Sequence, residues 1–185
     1  MVKVTLLGDS IRQIGYGKVV PEMLGDGYEV FQPGDNCRFA KYTLRLLYDL
    51  RNDMAGSDIV HWNNGLWDTC DIVDGEAFTS IDEYVENMVR IARILKSRHK
   101  TVIFATITAV DERIGDQKNE RIKAYNDALV PRLEEMGVII NDLYSLVYPN
   151  IDKYICDDRV HLSQDGIEAC GRQVTEAIKE AAKLL

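Results

Sequence analysis

Short apolar runs alternate along the chain with longer stretches in which apolar residues recur every three or four positions. The runs cover residues 4–7, 28–31, 58–62, 101–107 and 138–140. A short apolar run bounded by turn residues is typical of a buried strand, and a period of three to four residues is typical of an amphipathic helix. The pattern therefore predicts repeated strand and helix units with five buried parallel strands.

The helical stretches each present one apolar face. The positions that share a face are Phe39, Thr43, Leu46, Leu47 and Leu50, then Val85, Met88, Val89, Ala92 and Leu95, then Ile122, Tyr125, Leu129 and Leu133, and last Ile167, Cys170, Val174 and Ile178. Ser163 is the predicted N-cap of the last helix. Because crossovers between parallel strands are right-handed and place helices on both faces of the sheet, we predict an α/β fold, a three-layer α/β/α sandwich.

The composition fits one domain covering residues 1–185 and limits the class of partner. The net charge is -8 at pH 7, which disfavours nucleic acid because phosphate binding requires a basic surface. No apolar stretch approaches the roughly 20 residues that cross a bilayer, so we expect no membrane partner. The first residues lack the layout of a signal peptide, so we expect a cytoplasmic location.

The four cysteines lack metal-binding spacing, and we expect free thiols and no metal site.

Polar residues follow the predicted strands at the edge where parallel strands end. Ser10 follows the first strand, residues 34–37 follow the second, and residues 62–68 follow the third, while Asp158 and His161 precede the last helix. Ligands of open α/β sheets bind at the carboxyl ends of the strands. We therefore expect a functional site at this edge.

A serine, a histidine and an aspartate among these residues have the chemistry of a catalytic triad. A serine hydroxyl needs an imidazole to take its proton and a carboxylate to orient that imidazole. Ser10 is the predicted nucleophile and His161 the predicted base. Asp158, three residues before the histidine, is the predicted orienting acid, with Asp157 as its rival.

The other two histidines fit the role of base less well. His99 lies in a basic segment that we expect to be an exposed helix end at the opposite edge of the sheet. His61 ends the third predicted strand, and it is expected either in the core or in the pocket.

Acyl transfer also requires hydrogen-bond donors for the oxygen of the tetrahedral intermediate. The predicted donors are the backbone N–H groups of Ser10 and Gly34 and the side-chain amide of Asn63. Gly34 has no Cβ, so its N–H can approach a ligand closely. The segment Asn63-Asn64-Gly65 is also ordinary turn sequence, which leaves a simple turn as the alternative.

Three further side chains are candidates for substrate binding. Trp62 and Trp67 could form an aromatic pocket wall for a sugar ring or an acyl chain, with core packing as the alternative. Arg12, close to Ser10, could hold a carboxylate or a phosphate at the rim. Arg38 could act similarly, but its position is more typical of a solvated surface arginine.

Together these residues resemble the sequence blocks of the GDSL or SGNH hydrolases, over nearly the whole chain. Gly8-Asp9-Ser10 resembles the first block, which carries the nucleophile, and Gly34 occupies the place of the second-block glycine. Asn63 stands in the oxyanion position of the third block, and Asp158-Arg159-Val160-His161 matches the D-x-x-H block. The resemblance implies a flavodoxin-like five-stranded parallel sheet of order 2-1-3-4-5, ester hydrolysis through an acyl-enzyme, and no metal or organic cofactor.

The third block departs from the family pattern at two points. His61-Trp62 stands where a glycine usually precedes the oxyanion asparagine, and Asn64 replaces the usual aspartate. Asn63 is therefore the catalytic assignment that depends most on the structure.

The sequence as a whole predicts a serine esterase that acts on a small or carbohydrate-borne ester, with an acetyl ester as one candidate. Three alternatives remain: a nucleotide- or flavin-binding module, a phosphatase that uses Asp9 as nucleophile, and a binding protein that keeps the fold without catalysis. The first alternative lacks support, because neither G-x-G-x-x-G nor G-x-x-x-x-G-K-[ST] follows the first strand.

Overall fold

The computed structural model describes all residues, 1–185, and contains one five-stranded parallel sheet. The strand order is β2-β1-β3-β4-β5, so the predicted order is confirmed. The strands are β1 (Val2–Gly8), β2 (Tyr28–Phe31), β3 (Ile59–Asn63), β4 (Thr101–Ala105) and β5 (Ile139–Asn141).

The α-helices follow the strands in the predicted alternation. They are α1 (Val20–Leu24), α2 (Ala40–Asp49), α3 (Leu66–Thr69), α4 (Ile81–Lys96), α5 (Asn119–Glu135), α6 (Leu143–Val147), α7 (Ile151–Tyr154) and α8 (Gln164–Ala182). A π-helical turn, Ile11–Gly15, comes directly after β1 and Ser10. No helix is both long enough and apolar enough to cross a membrane.

The sheet is covered by helices on both faces, as in the predicted three-layer sandwich. Helix α4 packs between α2 and α5, while α8 packs against α1 and against β3, β4 and β5. Every residue of β3 is buried, because this central strand has helices on both sides. A single cluster of 41 buried apolar residues forms the core.

The end of β4 differs from the predicted strand, which extended to residue 107. The structure ends β4 at Ala105. The backbone of Ile107 pairs instead with the side chain of Asn126, which accepts from the Ile107 N–H at 2.9 Å and donates to its carbonyl at 3.0 Å. An amide side chain thus replaces the next strand as hydrogen-bond partner, and the chain leaves the sheet two residues early.

The start of α8 confirms the N-cap prediction for Ser163. Its Oγ accepts a hydrogen bond from the Gly166 N–H at 3.1 Å and donates one to the Lys153 carbonyl at 2.6 Å. Gly166 is required here, because a Cβ at this position would overlap the Tyr154 carbonyl. The cap therefore fixes the point at which the chain enters α8, two residues after His161.

Replacing Ser163 with alanine should lower the free energy of unfolding by about 1 kcal/mol, because the α8 N-cap is lost. Urea denaturation followed by circular dichroism measures this change. Ser163→Thr is the matched control, since it keeps a hydroxyl at the cap. An alanine variant as stable as the wild-type protein would show that the cap does not stabilise α8.

Candidate active site

Ser10 lies at the carboxyl edge of the sheet, where β1 passes into the π-helical turn. Asp9 directs this change of course: its Oδ1 accepts from the Ile11 N–H at 2.9 Å, and its carbonyl accepts from the Arg12 N–H at 3.1 Å. Ser10 itself has helical backbone angles, φ -62° and ψ -27°. Its side chain is partly buried and faces the loop that precedes α8.

Ser10, His161 and Asp158 form a continuous hydrogen-bonded chain. Ser10 Oγ lies 2.8 Å from His161 Nε2, and His161 Nδ1 lies 2.6 Å from Asp158 Oδ2. Because a carboxylate only accepts hydrogen bonds, the proton belongs on Nδ1 and leaves Nε2 free to take the proton of Ser10. The arrangement can therefore transfer a proton from serine to histidine.

The loop that carries His161 is held by its own backbone. Asp158 Oδ1 accepts from the N–H groups of Val160 at 2.9 Å and His161 at 2.8 Å. Arg159, between them, has a positive φ of 71°. Burial raises the pKa of Asp158, but the hydrogen bonds from His161 and Val160 outweigh burial and hold this pKa below its usual range. Asp158 is therefore the partner of His161, and Asp157 is not.

The side chain of Asn63 is fixed in one orientation by two buried neighbours. Its Nδ2 donates to Asp9 Oδ1 at 2.7 Å, and its Oδ1 accepts from the Tyr16 hydroxyl at 2.7 Å. Each contact identifies one end of the amide, so the amide cannot turn over without losing both. No hydrogen bond within the protein engages the second N–H of Nδ2, and its use as an oxyanion donor stays a prediction.

Gly8 and Tyr16 both lie against Asn63, and the sequence analysis assigned neither of them a role. A Cβ at Gly8 would overlap Asn63 Oδ1, so only glycine leaves room for the amide. Tyr16 is fully buried, with its ring edge-on to His61 at 5.5 Å between centroids. The only sequence signal was the position of this tyrosine six residues after the serine, directly after the helical turn Ile11–Gly15.

Arg12 does not lie at the substrate rim, which corrects the sequence prediction. Its side chain is only 2% exposed. The guanidinium donates to the carbonyls of Pro33 at 2.8 Å, Asp35 at 2.8 Å and Gly8 at 3.1 Å. Arg12 therefore ties the loop after β2 to the end of β1, and this contact positions Gly34 on the active-site side of the sheet.

Gly34 is exposed in that loop, and Gln13 Nε2 donates to its carbonyl at 2.5 Å. The Gly34 N–H itself has no hydrogen-bond partner within the protein. Its use as an oxyanion donor stays a prediction.

Trp62 also lies outside any substrate site, which is a second correction. The side chain is fully buried, with its ring 4.8 Å from that of Phe104. Its Nε1 donates to Asn64 Oδ1 at 3.0 Å. Asn64 in turn accepts from Thr43 Oγ1 at 2.9 Å and donates to the Arg38 carbonyl at 2.9 Å. A neutral amide both accepts and donates here, which an ionised aspartate could not do.

The two histidines outside the triad are structural. His61 is fully buried, and Asn141 Nδ2 lies 3.0 Å from its Nε2. Burial lowers the pKa of His61 to about 3, so the ring is neutral. His99 is buried rather than exposed as expected, and its Nδ1 lies 3.0 Å from the Ser57 carbonyl.

A cleft of about 770 Å³ opens beside Ser10 and His161. Of the predicted substrate-binding residues, only Trp67 lines it, with 45% of its surface exposed. The lining residues are Ser10, Gln13, Ile14, Asn36, Phe39, Leu66, Trp67, Cys70, Asp71, Ile72, Phe78, Ile114, Asp116, Gln117, Val160 and His161. The volume lies in the range of small-molecule sites.

One comparison by sequence finds a relative of known class. A GDSL esterase/lipase of Arabidopsis thaliana is 32% identical over 116 aligned residues, which cover 55% of this chain and 45% of the relative. The chain thus spans less than half the length of that relative. No protein-family model matches the chain.

Solved structures share the fold over almost the whole chain. A lipase/acylhydrolase from Enterococcus faecalis superposes with a TM-score of 0.79 at 23% identity, covering 98% of this chain and 97% of that one. A GDSL-like lipase from Bacteroides thetaiotaomicron gives 0.76 at 17% identity, covering 97% and 88%. A catalytic mutant of an acetylxylan esterase from Geobacillus stearothermophilus gives 0.77 at 18% identity, covering 95% and 93%. This chain therefore has the same fold as these structures, and its resemblance to the GDSL hydrolases is confirmed.

Tyr16→Phe should lower kcat of an ester substrate about tenfold with little change in KM. The variant keeps the ring but frees one end of the Asn63 amide, and full loss of an oxyanion donor costs about 10² to 10³ in rate. Steady-state kinetics of the variant measure the effect, with circular dichroism as a check of folding.

A double-mutant cycle separates this positioning role from a general structural one. If Tyr16 acts through Asn63, the double variant Tyr16→Phe/Asn63→Ala should be no slower than Asn63→Ala alone. Independent, multiplicative losses would contradict the role.

Asp9 should make the stability of the protein depend on pH. Burial raises the pKa of Asp9 to about 6, whereas an unfolded aspartate titrates near 4. The folded state therefore holds this proton more tightly, and the resulting stabilisation is present below about pH 4 and lost as the pH rises to about 6.

The measurement is the free energy of unfolding of wild type minus that of Asp9→Asn at a series of pH values. The difference should fall by on the order of 3 kcal/mol between pH 4 and pH 7. A flat difference would show that Asp9 titrates normally.

Proposed function

We propose that this chain hydrolyses carboxylic esters through an acyl-Ser10 intermediate. The observation that carries the proposal is the contact of 2.8 Å between Ser10 Oγ and His161 Nε2, with Asp158 on the other ring nitrogen. The pair lies at an open cleft large enough for an organic ester. Nucleophile, base and orienting acid then act in the order that acyl transfer requires.

In the acylation step, Ser10 Oγ forms a bond to the ester carbonyl carbon while its proton passes to His161 Nε2. The carbonyl oxygen becomes an oxyanion, which we assign to the N–H groups of Ser10 and Gly34 and to the free N–H of Asn63. The tetrahedral intermediate then breaks its bond to the alcohol oxygen. The leaving alcohol takes the proton from His161, and Asp158 stabilises the imidazolium that exists between the two transfers.

Water completes the reaction by the same route. His161 takes a proton from water as its oxygen attacks the acyl carbon, and the bond to Ser10 Oγ breaks. The proton returns to Ser10, and the acid is released. One ester and one water thus give one acid and one alcohol, with the enzyme regenerated.

The compared proteins support this function. The plant relative is named an esterase/lipase. Catalytic mutants of the Geobacillus acetylxylan esterase replace a serine, an aspartate and a histidine, and that aspartate precedes its histidine by three positions. Asp158 and His161 have the same spacing. The substrate we propose is accordingly an ester of a small molecule or of a carbohydrate.

A nucleotide- or flavin-binding role has less support than hydrolysis. The segment after β1 is a π-helical turn whose first residues are engaged by Asp9, rather than a glycine-rich loop with free N–H groups. Asp9 is buried, and its Oδ1 accepts from both Ile11 and Asn63, which leaves it unsuited to be a phosphatase nucleophile.

Ser10→Ala should abolish turnover of p-nitrophenyl acetate, and Asp158→Asn should reduce kcat by about 10³ to 10⁴, because the imidazole loses its tautomer control. Spectrophotometric release of p-nitrophenol measures both. Asp157→Asn is the matched control and should keep wild-type activity, since its side chain does not contact His161.

Mass spectrometry after treatment with a fluorophosphonate provides a second readout. The reagent should add to Ser10 in the wild-type protein and to no residue of Ser10→Ala. Equal hydrolysis by wild type and Ser10→Ala, together with absence of labelling, would refute the proposed function.

A further inference from the structure

One side of the active-site cleft is formed by large apolar side chains, three of which remain exposed. We call it the apolar wall, and its residues are Phe39, Leu66, Trp67, Ile72 and Phe78. Trp67 is 45% exposed, Ile72 57% and Phe78 43%. Grouped large apolar side chains left in solvent are uncommon on soluble proteins and mark binding surfaces. Their position in the cleft of Ser10 makes a bound substrate the natural occupant.

Ring packing and hydrogen bonds hold the apolar wall in place. The rings of Phe78 and Phe39 meet edge to face, with centroids 5.0 Å apart. Arg121 of α5 donates to the carbonyls of Thr69 at 3.2 Å and Gly75 at 2.9 Å, which anchors the segment that carries Ile72. A preformed apolar surface binds a ligand without the cost of ordering its own side chains.

Several polar side chains of the cleft have one end engaged within the protein. Gln13 donates to the Gly34 carbonyl at 2.5 Å, and Gln117 donates to the Leu66 carbonyl at 2.6 Å. Asn36 Oδ1 accepts from the Arg38 N–H at 2.7 Å. Asp71 Oδ1 accepts from the Gly75 N–H at 3.1 Å.

A sugar ring needs several convergent polar partners, because its hydroxyl groups lose their bonds to water on binding. Because nine of the sixteen lining residues are hydrophobic and part of the polar groups is already bonded, the cleft offers more apolar contact than hydrogen bonding.

The chemistry of the triad decides which part of an ester meets the apolar wall. The leaving alcohol must take its proton from His161 Nε2, so it lies beside the loop of Asp158 to His161. The Asp111 N–H donates to the Arg159 carbonyl at 2.9 Å, so the segment that follows β4 packs on this same loop. The wall residues Trp67, Ile72 and Phe78 belong to the segment after β3, which does not include the loop that carries the base, His161. The acyl group therefore extends toward them.

We propose that the apolar wall binds the acyl group of the ester, and that this group is an apolar chain or ring larger than acetyl. The inference rests on the proposed ester hydrolysis. A cleft of about 770 Å³ would be mostly unfilled by an acetyl group, whereas a longer chain covers the wall and removes its apolar surface from water. The substrate class is thus an ester with an apolar acyl group, whatever alcohol it is attached to.

The test compares p-nitrophenyl acetate, butyrate, hexanoate and octanoate as substrates of the whole chain. Each methylene buried on the wall should raise kcat/KM roughly fourfold until the wall is covered. Ile72→Ser and Trp67→Ala should lower the ratio of kcat/KM for hexanoate to that for acetate by about tenfold. Val73→Ser is the matched control: Val73 is the neighbour of Ile72, is 90% exposed, does not line the cleft and should keep the wild-type ratio.

A second panel of acetates that differ only in the alcohol, including acetylated xylo-oligosaccharides, tests the assignment to the acyl side. Acetate as the best p-nitrophenyl ester, acetylated sugars as faster substrates than hexanoate, or a preference for apolar alcohols without a preference for acyl length would each overturn the inference.

A binding measurement keeps the inference testable apart from turnover. Octanoate should change the fluorescence of Trp67 at lower concentration than acetate does, and Trp67→Phe should remove the change. If no ester is hydrolysed, the proposed function fails while octanoate binding still supports the apolar wall. Absence of octanoate binding overturns the inference even if p-nitrophenyl acetate is hydrolysed.

Discussion

The hydrogen bond between Ser10 and His161 joins residues that are 151 positions apart, and much of the fold serves to bring them together. Ser10 is placed by β1, which lies inside the sheet between β2 and β3. His161 is placed by α8, which packs across β3, β4 and β5. The loop before α8 is closed by backbone bonds from Cys156 to the His161 carbonyl and from Ser163 to the Tyr154 carbonyl, each 2.8 Å long. The carboxyl edge of the sheet thus brings into contact two residues that are far apart in the sequence.

Buried asparagines are a second feature that holds the active site in place. Asn63, Asn64 and Asn126 each hold a segment at the carboxyl edge of the sheet, and each uses both ends of its amide. Asn119 does the same for the backbone of Val110, accepting at 3.0 Å and donating at 2.8 Å. A neutral amide satisfies one donor and one acceptor without the cost of burying a charge. This explains why an asparagine at position 64 is compatible with the site.

The strands and the pairing of Asp158 with His161 leave local signals in the sequence, whereas the strand order was implied by the resemblance to the GDSL hydrolases. Apolar runs mark the strands, and Asp158 lies within one loop of His161, so their contact follows from spacing alone. Arg12 and Trp62 were assigned to the substrate because their residue types suit ligands, but partners distant in sequence decide their burial: the carbonyls of Pro33 and Asp35 for Arg12, and Phe104 for Trp62. Burial of this kind is a property of packing, which a linear pattern does not contain.

In the proposed reaction, the charge of the protein and the apolar wall act in the same direction. The chain has a net charge of -8, and Asp71 and Asp116 line the cleft beside the wall. A neutral ester with an apolar acyl group meets no repulsion on entry and gains contact with the wall. Its product is a carboxylate, which shares the cleft with two acidic side chains and the field of an acidic protein. In the proposed reaction the carboxylate product is therefore held less tightly than the neutral ester, although its apolar chain still contacts the wall, and its release is favoured.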